Sequence, residues 1–351
     1  MKLLAQKFHL ELNQKIEEYL EQFPNREKAN KTMIVKIVIF LALWFFSIGL
    51  LYFLRGGYLF YIGTYLLIGF TTVLVIANIG HDASHGNISP ISIINKILSF
   101  TLNLSGSHFS SWRLKHDEGH HKYTNIQTQD PDIDTGPILR LSPFIQWRWI
   151  HRYQFIYIFL IYPLLSLLLI LFADFKVVIV NQRIQRNKKI GLIVEMILSK
   201  VFYIFYMLGI PIYFSEVGAL PVLTGFIFMH FILGILLAVV FLPSHFNSNS
   251  EFYENAKLAY NENSWSIHQI KTTVDIESKN YLFQFFFGAL NLNVLHHIKP
   301  RICHTHLFYL QSVLEELCKK YKLNYIQLSL KDALIGHYKH VRAMGRDSRV
   351  G

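Results

Sequence analysis

Long apolar runs separated by polar stretches dominate this chain. Residues 33–54 carry a single charge, Lys36, and residues 58–79 carry none. Each run exceeds the roughly 20 residues that a helix needs to cross a hydrocarbon core about 30 Å thick. Arg55-Gly56-Gly57 reads as the tight turn between them. Three more apolar stretches follow at 155–172, 198–215 and 219–243. If all three crossed, the histidines around residues 81–121 would face the opposite side from His245, because an odd number of crossings reverses the side. The stretch 155–172 is the one expected not to cross: it is short, contains Pro163, and runs into Asp174 and a basic segment ending in Lys188-Lys189. The pattern predicts an all-α, multi-pass membrane protein with four transmembrane helices. An interfacial or re-entrant hairpin at 155–172 and a cytoplasmic helical cap made of 80–154, 174–197 and 244–351 complete it. Within the cap, 307–323 and 331–344 have the spacing of amphipathic helices.

Charge orients this arrangement. Lys2, Lys7, Lys15, Arg26, Lys28, Lys31 and the basic 174–200 loop fall on one face, while the two short opposite turns hold Arg55 and Glu216. Basic loops stay in the cytoplasm, so that face is the cytoplasmic one. Composition agrees with a lipid-embedded chain, at 52% hydrophobic, 15% aromatic and a mean hydropathy of +0.29. The net charge of +11 would suit nucleic acid, yet no zinc-finger or RNP-type pattern is present and the basic residues are spread between apolar blocks. No nucleic-acid partner is expected. Cys303 and Cys318 lie close together in a part of the chain with no sign of an oxidising compartment, so no disulfide is expected. The polar first thirty residues do not resemble a cleaved signal peptide. Apolar segments and histidines interleave along the sequence, so 1–351 is read as one domain.

The chemistry lies in the histidines, of which there are 17. His81 and His85 follow the second apolar run, and four residues apart on a helix they share one face. His116, His120 and His121 repeat that spacing with an added neighbour about 100° further round, so the doublet can address two metals at once. His296 and His297 form another doublet, with Asn293 three residues before it, and His245 ends the last apolar run. So many neutral imidazoles near an apolar boundary are costly to bury without partners, and metal ions satisfy them. Ligand type alone leaves iron, zinc and copper open. Of the others, His9, His337 and His340 read as solvated, and His230 as either a packing residue or a polar tunnel lining. His108, His151, His268, His304 and His306 are candidates to support the ligands or touch substrate. Asp82, Asp117 and Glu118 are the acidic residues placed to accept a ligand N–H, and Trp112 and Trp265 are read as packing the cap.

HDASHG at 81–86, HDEGHHKYTN at 116–125 followed by Asp130 to Asp134, HRYQ at 151–154, NSWSIHQIKTT at 263–273 and GALNLNVLHHIKP at 288–300 continuing into RICHTH together resemble the integral-membrane fatty acid desaturases. The resemblance is to the acyl-lipid and linoleoyl-CoA desaturase-like group that includes front-end desaturases, and it runs through nearly the full chain. It implies two irons held by His81, His85, His116, His120, His121, His296 and His297, with the group's extra histidine falling on His245. Asn293 stands where that group has Gln or His, and on a helix its amide oxygen can reach the metal bound by His296 and His297, directly or through water. Leu295 replaces an acidic residue that commonly precedes the doublet, and Leu242 replaces a Gln.

The resemblance further implies oxygen-dependent removal of two hydrogens from adjacent acyl carbons, leaving a double bond and water. The acyl carrier is CoA or a lipid. No flavin, NAD, iron–sulfur or haem-binding signature is found in the sequence, so the electrons are expected from a separate donor such as ferredoxin or cytochrome b5. An acyl hydroxylase on the same scaffold is the near alternative. A zinc-dependent membrane hydrolase is more distant: HExxH and HxxEH are missing from the sequence, and one zinc cannot use so many histidines. A metal transporter would carry its ligands within the crossings rather than at one end of them.

Overall fold

A computed structural model describes residues 2–54, 56–262, 264–277 and 281–346. Arg55 of the expected turn and Asn263 of one motif lie outside the described residues. Among the described residues the fold is all-α apart from one two-residue strand pair. In chain order, α1 is Lys2–Leu20, α2 is Lys31–Phe53, α3 is Tyr58–Ser84, α4 is Ser92–Leu104 and α5 covers 109–123. Then come α6, Trp149–Val180, α7, Arg186–Phe214, and α8, Ala219–His245. The remainder holds α9, Ala256–Glu262, α10, Trp265–Thr272, α11, Asn293–Ile298, α12, His304–Lys320, and α13, Leu330–Met344. Strands β1, Asp275–Ile276, and β2, Gln327–Leu328, pair in parallel.

Among the described residues, five helices, α2, α3, α6, α7 and α8, are long and apolar enough to cross a membrane. The chain is thus a multi-pass membrane helical bundle. The structure corrects the expectation of a hairpin at 155–172: these residues lie inside the uninterrupted helical run of α6. Pro163 removes one backbone donor but does not end the helix, and a wider π-helical turn, Leu169–Ala173, follows it.

The chain divides into two compact units. One is made of residues 31–114 and 160–238. Here α2 and α3 pack through polar contacts set among apolar residues: Trp44 Nε1 donates to Thr72 Oγ1 at 3.0 Å, and the Ser47 and Thr71 hydroxyls meet at 3.0 Å. Gly234 of α8 lies so close to α6 that an added Cβ would stand 2.5 Å from the carbonyl oxygens of Tyr162 and Pro163. His230 is fully buried and satisfied at both ring nitrogens, with Ser166 Oγ 3.0 Å from Nδ1 and Tyr203 Oη 3.0 Å from Nε2. These contacts favour the packing role for it. Lys200 Nζ bonds Asp174 at 2.7 Å and the Gly106 carbonyl at 3.0 Å, while Ser111 donates to the same carboxylate at 2.5 Å. The stretch just before the second histidine group is tied to α7 in this way. Helix α4 inverts the usual pattern: it buries Asn95, Ser99 and Asn103 and exposes Ile93, Ile97 and Phe100.

The other unit comprises residues 1–30, 115–159 and 239–351. Its core sets Phe8, Leu12 and Ile16 of α1 against Leu310, Leu314 and Leu317 of α12. Helix α1 arises because these apolar residues recur every four positions within an otherwise charged segment. Helices α12 and α13 match the two amphipathic segments read from the sequence to within a turn. A further correction concerns His337 and His340 of α13, which are buried rather than solvated. They contact the carbonyls of Phe246 and Leu141 at 2.7 and 2.8 Å.

Burial holds both imidazoles down at about 4, against an ordinary value of 6.5. A histidine with a lower pKa folded than unfolded gives stability that is complete above the unfolded value. That stability is lost as pH falls through the folded value, because the unfolded chain takes up the proton first. Each is worth at most about 3 kcal/mol by the size of the shift. Thermal unfolding in detergent is therefore expected to shift to lower temperature as pH falls from 6.5 towards 4. His337→Asn should flatten that profile; an unchanged slope would mean that these rings do not set acid stability.

Candidate metal centre

Within the unit containing residues 115–159 and 239–351, six histidines converge. The second group, His116–His120, forms a π-helical turn and not the α-helical one assumed in reading the spacing. A π turn stacks residue i over i+5 instead of i+4. His116 therefore meets His121, Nε2 to Nε2 at 3.1 Å, and His296 joins them with its ring 4.7 Å from that of His121. His120 is turned elsewhere. Its Nε2 lies 3.2 Å from Nε2 of His245, and the ring of His297 is 4.9 Å from that of His120 and 4.7 Å from that of His245. The potential ligand atoms of His120, His245 and His297 all lie within 4.8 Å of one another, as do those of His116, His121 and His296. Each doublet splits between the two sets. Asn293 brings its amide to the first of them, 2.8 Å from His245 Nε2. Amide oxygen and nitrogen exchange places by rotation, so either atom can stand there.

His81 and His85 belong to the other unit, where they follow a π-helical turn, Ile76–Gly80, at the end of α3. Their rings are 4.9 Å apart, and the Asp82 carboxylate is 3.6 Å from His81 Nδ1.

The partners of these rings show whether the set suits a cation. His120 Nδ1 lies 3.1 Å from both carboxylate oxygens of Asp130, and His297 Nδ1 lies 3.1 Å from Thr124 Oγ1. With Nδ1 engaged on the outside, Nε2 of each ring carries the lone pair and points inward. Two inward Nε2 atoms 3.2 Å apart share at most one proton, whereas a cation between such rings satisfies all of them. Burial, and after it the neighbouring imidazoles, hold His297 well below the usual histidine range, in the neutral form a metal takes. Burial also lowers His120, but the carboxylates of Asp130 and Asp132 outweigh it and leave its pKa above the ordinary value. A cation at His120 Nε2 would take the place of that proton, so the donor set fits a metal bound by imidazole nitrogens.

The framework around the rings is tightly bonded. Asp275 of β1 accepts the Val294 N–H at 2.8 Å and the Tyr325 hydroxyl, which fixes the start of α11 and so the third histidine group. Burial pushes the Asp275 carboxyl up to about 7, against hydrogen bonds that pull it down. His268 Nε2 contacts the Thr124 carbonyl at 2.9 Å and lies between the rings of Tyr253 and Tyr260. His151 and His306 instead bond the carbonyls of Pro137 and Lys28, and His108 and His304 are buried. His9 is half-buried against Ser266 at 2.7 Å. Trp265 lies 6.5 Å from Tyr260, as a packing residue would. Asp130, Thr124 and Asp275 were not assigned roles from sequence. Asp130 stands in the acidic run after the second group, yet no helical periodicity links it to His120.

Comparison with known proteins bears on the same residues. The sequence profile of the family described as fatty acid desaturase matches residues 56–329. The sn-1 linoleoyl-lipid 6-desaturase of Arthrospira platensis is 29% identical over 346 residues, covering 96% of this chain and 92% of the relative. The sn-1 linoleoyl-lipid 6-desaturase of Synechocystis sp. is 28% identical over 355 residues, covering 97% and 96%. The acyl-lipid (8-3)-desaturase of Physcomitrium patens is 28% identical, covering 96% of this chain and 72% of the relative.

Proposed function

The chain belongs to the fatty acid desaturase family, and from that premise we propose that it introduces a double bond into an acyl chain carried by an intact membrane lipid. It is an oxygen-dependent oxidoreductase of that family, with histidine clusters suited to a di-iron site. The choice of an acyl lipid rests on the activities named for its relatives. The observation that carries the site is the inward convergence of Nε2 atoms from His120, His245 and His297 while Asp130 and Thr124 occupy the outer nitrogens of two of them. We assign His81, His85, His116, His120, His121, His245, Asn293, His296 and His297 as the ligands of two irons in one catalytic domain. Iron with O2 would supply the oxidising power that an unactivated methylene requires, since such a carbon has no acidic proton. The protein's own part is to hold neutral imidazoles at fixed positions, to keep water out through burial, and to present the acyl chain at a fixed depth. Electrons come from a separate protein such as ferredoxin or cytochrome b5.

Fatty-acid profiling of membrane lipids from a host expressing the chain tests this reading. A new unsaturated acyl species, dependent on oxygen and accompanied by about two irons per purified chain, is the expected result. A hydroxylated acyl product would move the assignment to the hydroxylase, and one zinc with no oxygen dependence would sink it.

We also propose four crossings with the metal site on the cytoplasmic face, α6 being the helix that does not span. Parity supports this, since histidines on both sides of α6 must serve one site, and so does the basic segment after α6. Cysteine labelling at the two ends of α6 should reach both from the cytoplasm. Labelling of its ends from opposite sides would require another segment to be the non-spanning one.

A further inference from the structure

The dipeptide Thr124-Asn125, which follows α5, is bonded to all three elements that carry His120, His245 and His297. Thr124 Oγ1 donates to the carbonyl of His120 at 2.9 Å. A hydroxyl has one proton, and here it is used on that carbonyl, so toward His297 Nδ1, 3.1 Å away, Thr124 can only accept. His297 must then carry its proton on Nδ1, with the lone pair on Nε2. Asn125 adopts φ 57, a left-handed conformation that asparagine tolerates better than most residues. In that conformation its amide nitrogen lies 3.1, 3.2 and 3.0 Å from the carbonyls of His245, Glu251 and Thr272, and its two N–H groups are shared among the three. Its backbone N–H donates to Asp130 at 2.9 Å, the carboxylate that holds His120. From behind, His268 bonds the Thr124 carbonyl. Both residues of the pair are fully buried.

We propose that Thr124 and Asn125 are positioning residues for the metal bound by His120, His245 and His297, with the Thr124 hydroxyl setting the tautomer of His297. The inference rests on the di-iron reading above. It goes further in giving one side chain control of one of the two irons. Removing an outer partner of this kind weakens metal binding by about 10–100-fold, so Thr124→Val should release one iron far more readily than the other.

The test measures iron retained per chain after dialysis of the full-length, detergent-purified protein against a chelator. Thr124→Val should keep about half of the wild-type iron, Thr124→Ser all of it, and Asn125→Gly, which keeps the left-handed backbone, should lose iron as Thr124→Val does. His297→Ala should lose the same iron, and adding Thr124→Val to it should cost no more, because the hydroxyl acts through that ring. Equal iron in Thr124→Val and wild type overturns the inference, as does equal loss in Thr124→Ser and Thr124→Val, or additive loss in the double variant. If Thr124→Val does not accumulate as folded protein, Thr124→Ala against Thr124→Ser decides on the same terms. Wild-type protein that binds no iron under iron-replete expression would sink the di-iron reading itself.

Discussion

Asp130→Asn is expected to weaken metal binding at the set formed by His120, His245 and His297 by about 10–100-fold and to take desaturation down with it. The carboxylate only accepts, so it obliges His120 to keep its proton on Nδ1 and to offer Nε2 inward. An amide presents a donor on one side, and where that donor faces Nδ1 the tautomer reverses and the inward lone pair is lost. Asp130→Ala should do more. It would leave the buried N–H of Asn125 without its acceptor, at a cost of about 1–3 kcal/mol, and loosen the loop that accepts it. The measurement is a chelator competition on purified protein, read beside the unfolding temperature. Asp130→Asn with unaltered iron affinity would show that His120 does not depend on this carboxylate.

A second large effect is expected at Asn293, where the chain departs from the pattern it otherwise resembles. Its amide lies 2.8 Å from His245 Nε2, within the set formed by His120, His245 and His297. An amide oxygen is a weaker ligand than imidazole, so the iron it serves should be the more labile of the two. Asn293→Ala is expected to lose that iron and most activity, whereas Asn293→His should retain iron and hold it more tightly. Full iron and wild-type turnover in Asn293→Ala would leave the site resting on the eight histidines. In that case Asn293 would serve only as a polar neighbour of His245.

The clustering of the candidate histidines was legible because metal chemistry restricts residue type, and imidazoles recurring in pairs next to apolar runs stand out from a packing pattern. The outer partners were not. Asp130 lies 10 residues from His120, Thr124 lies 173 from His297, and Asp275 lies 19 from Val294, and no helical or strand period connects such separations. His337 and His340 misled for a related reason. A histidine on a charged amphipathic helix reads as solvated, but the carbonyls of Phe246 and Leu141 come from chain segments about 91 and 199 residues away and bury both rings.

By itself the sequence determined that the chain lives in a membrane, that it is helical, and which eight imidazoles and one amide are candidates for the metal. Apolar run length and residue chemistry are local properties, and they survive without knowledge of the fold. Which imidazoles work together was decided only in three dimensions. The spacing of His116, His120 and His121 fits an α-helical pairing of the first two, yet the backbone takes a π turn there and pairs the first with the third. The same holds for α6, where Pro163 marks a break on the page and the helix continues through it. At His116–His120 the backbone bonds change partner and at Pro163 one is lost, and in both places the change is small enough in energy for the surrounding packing to settle it.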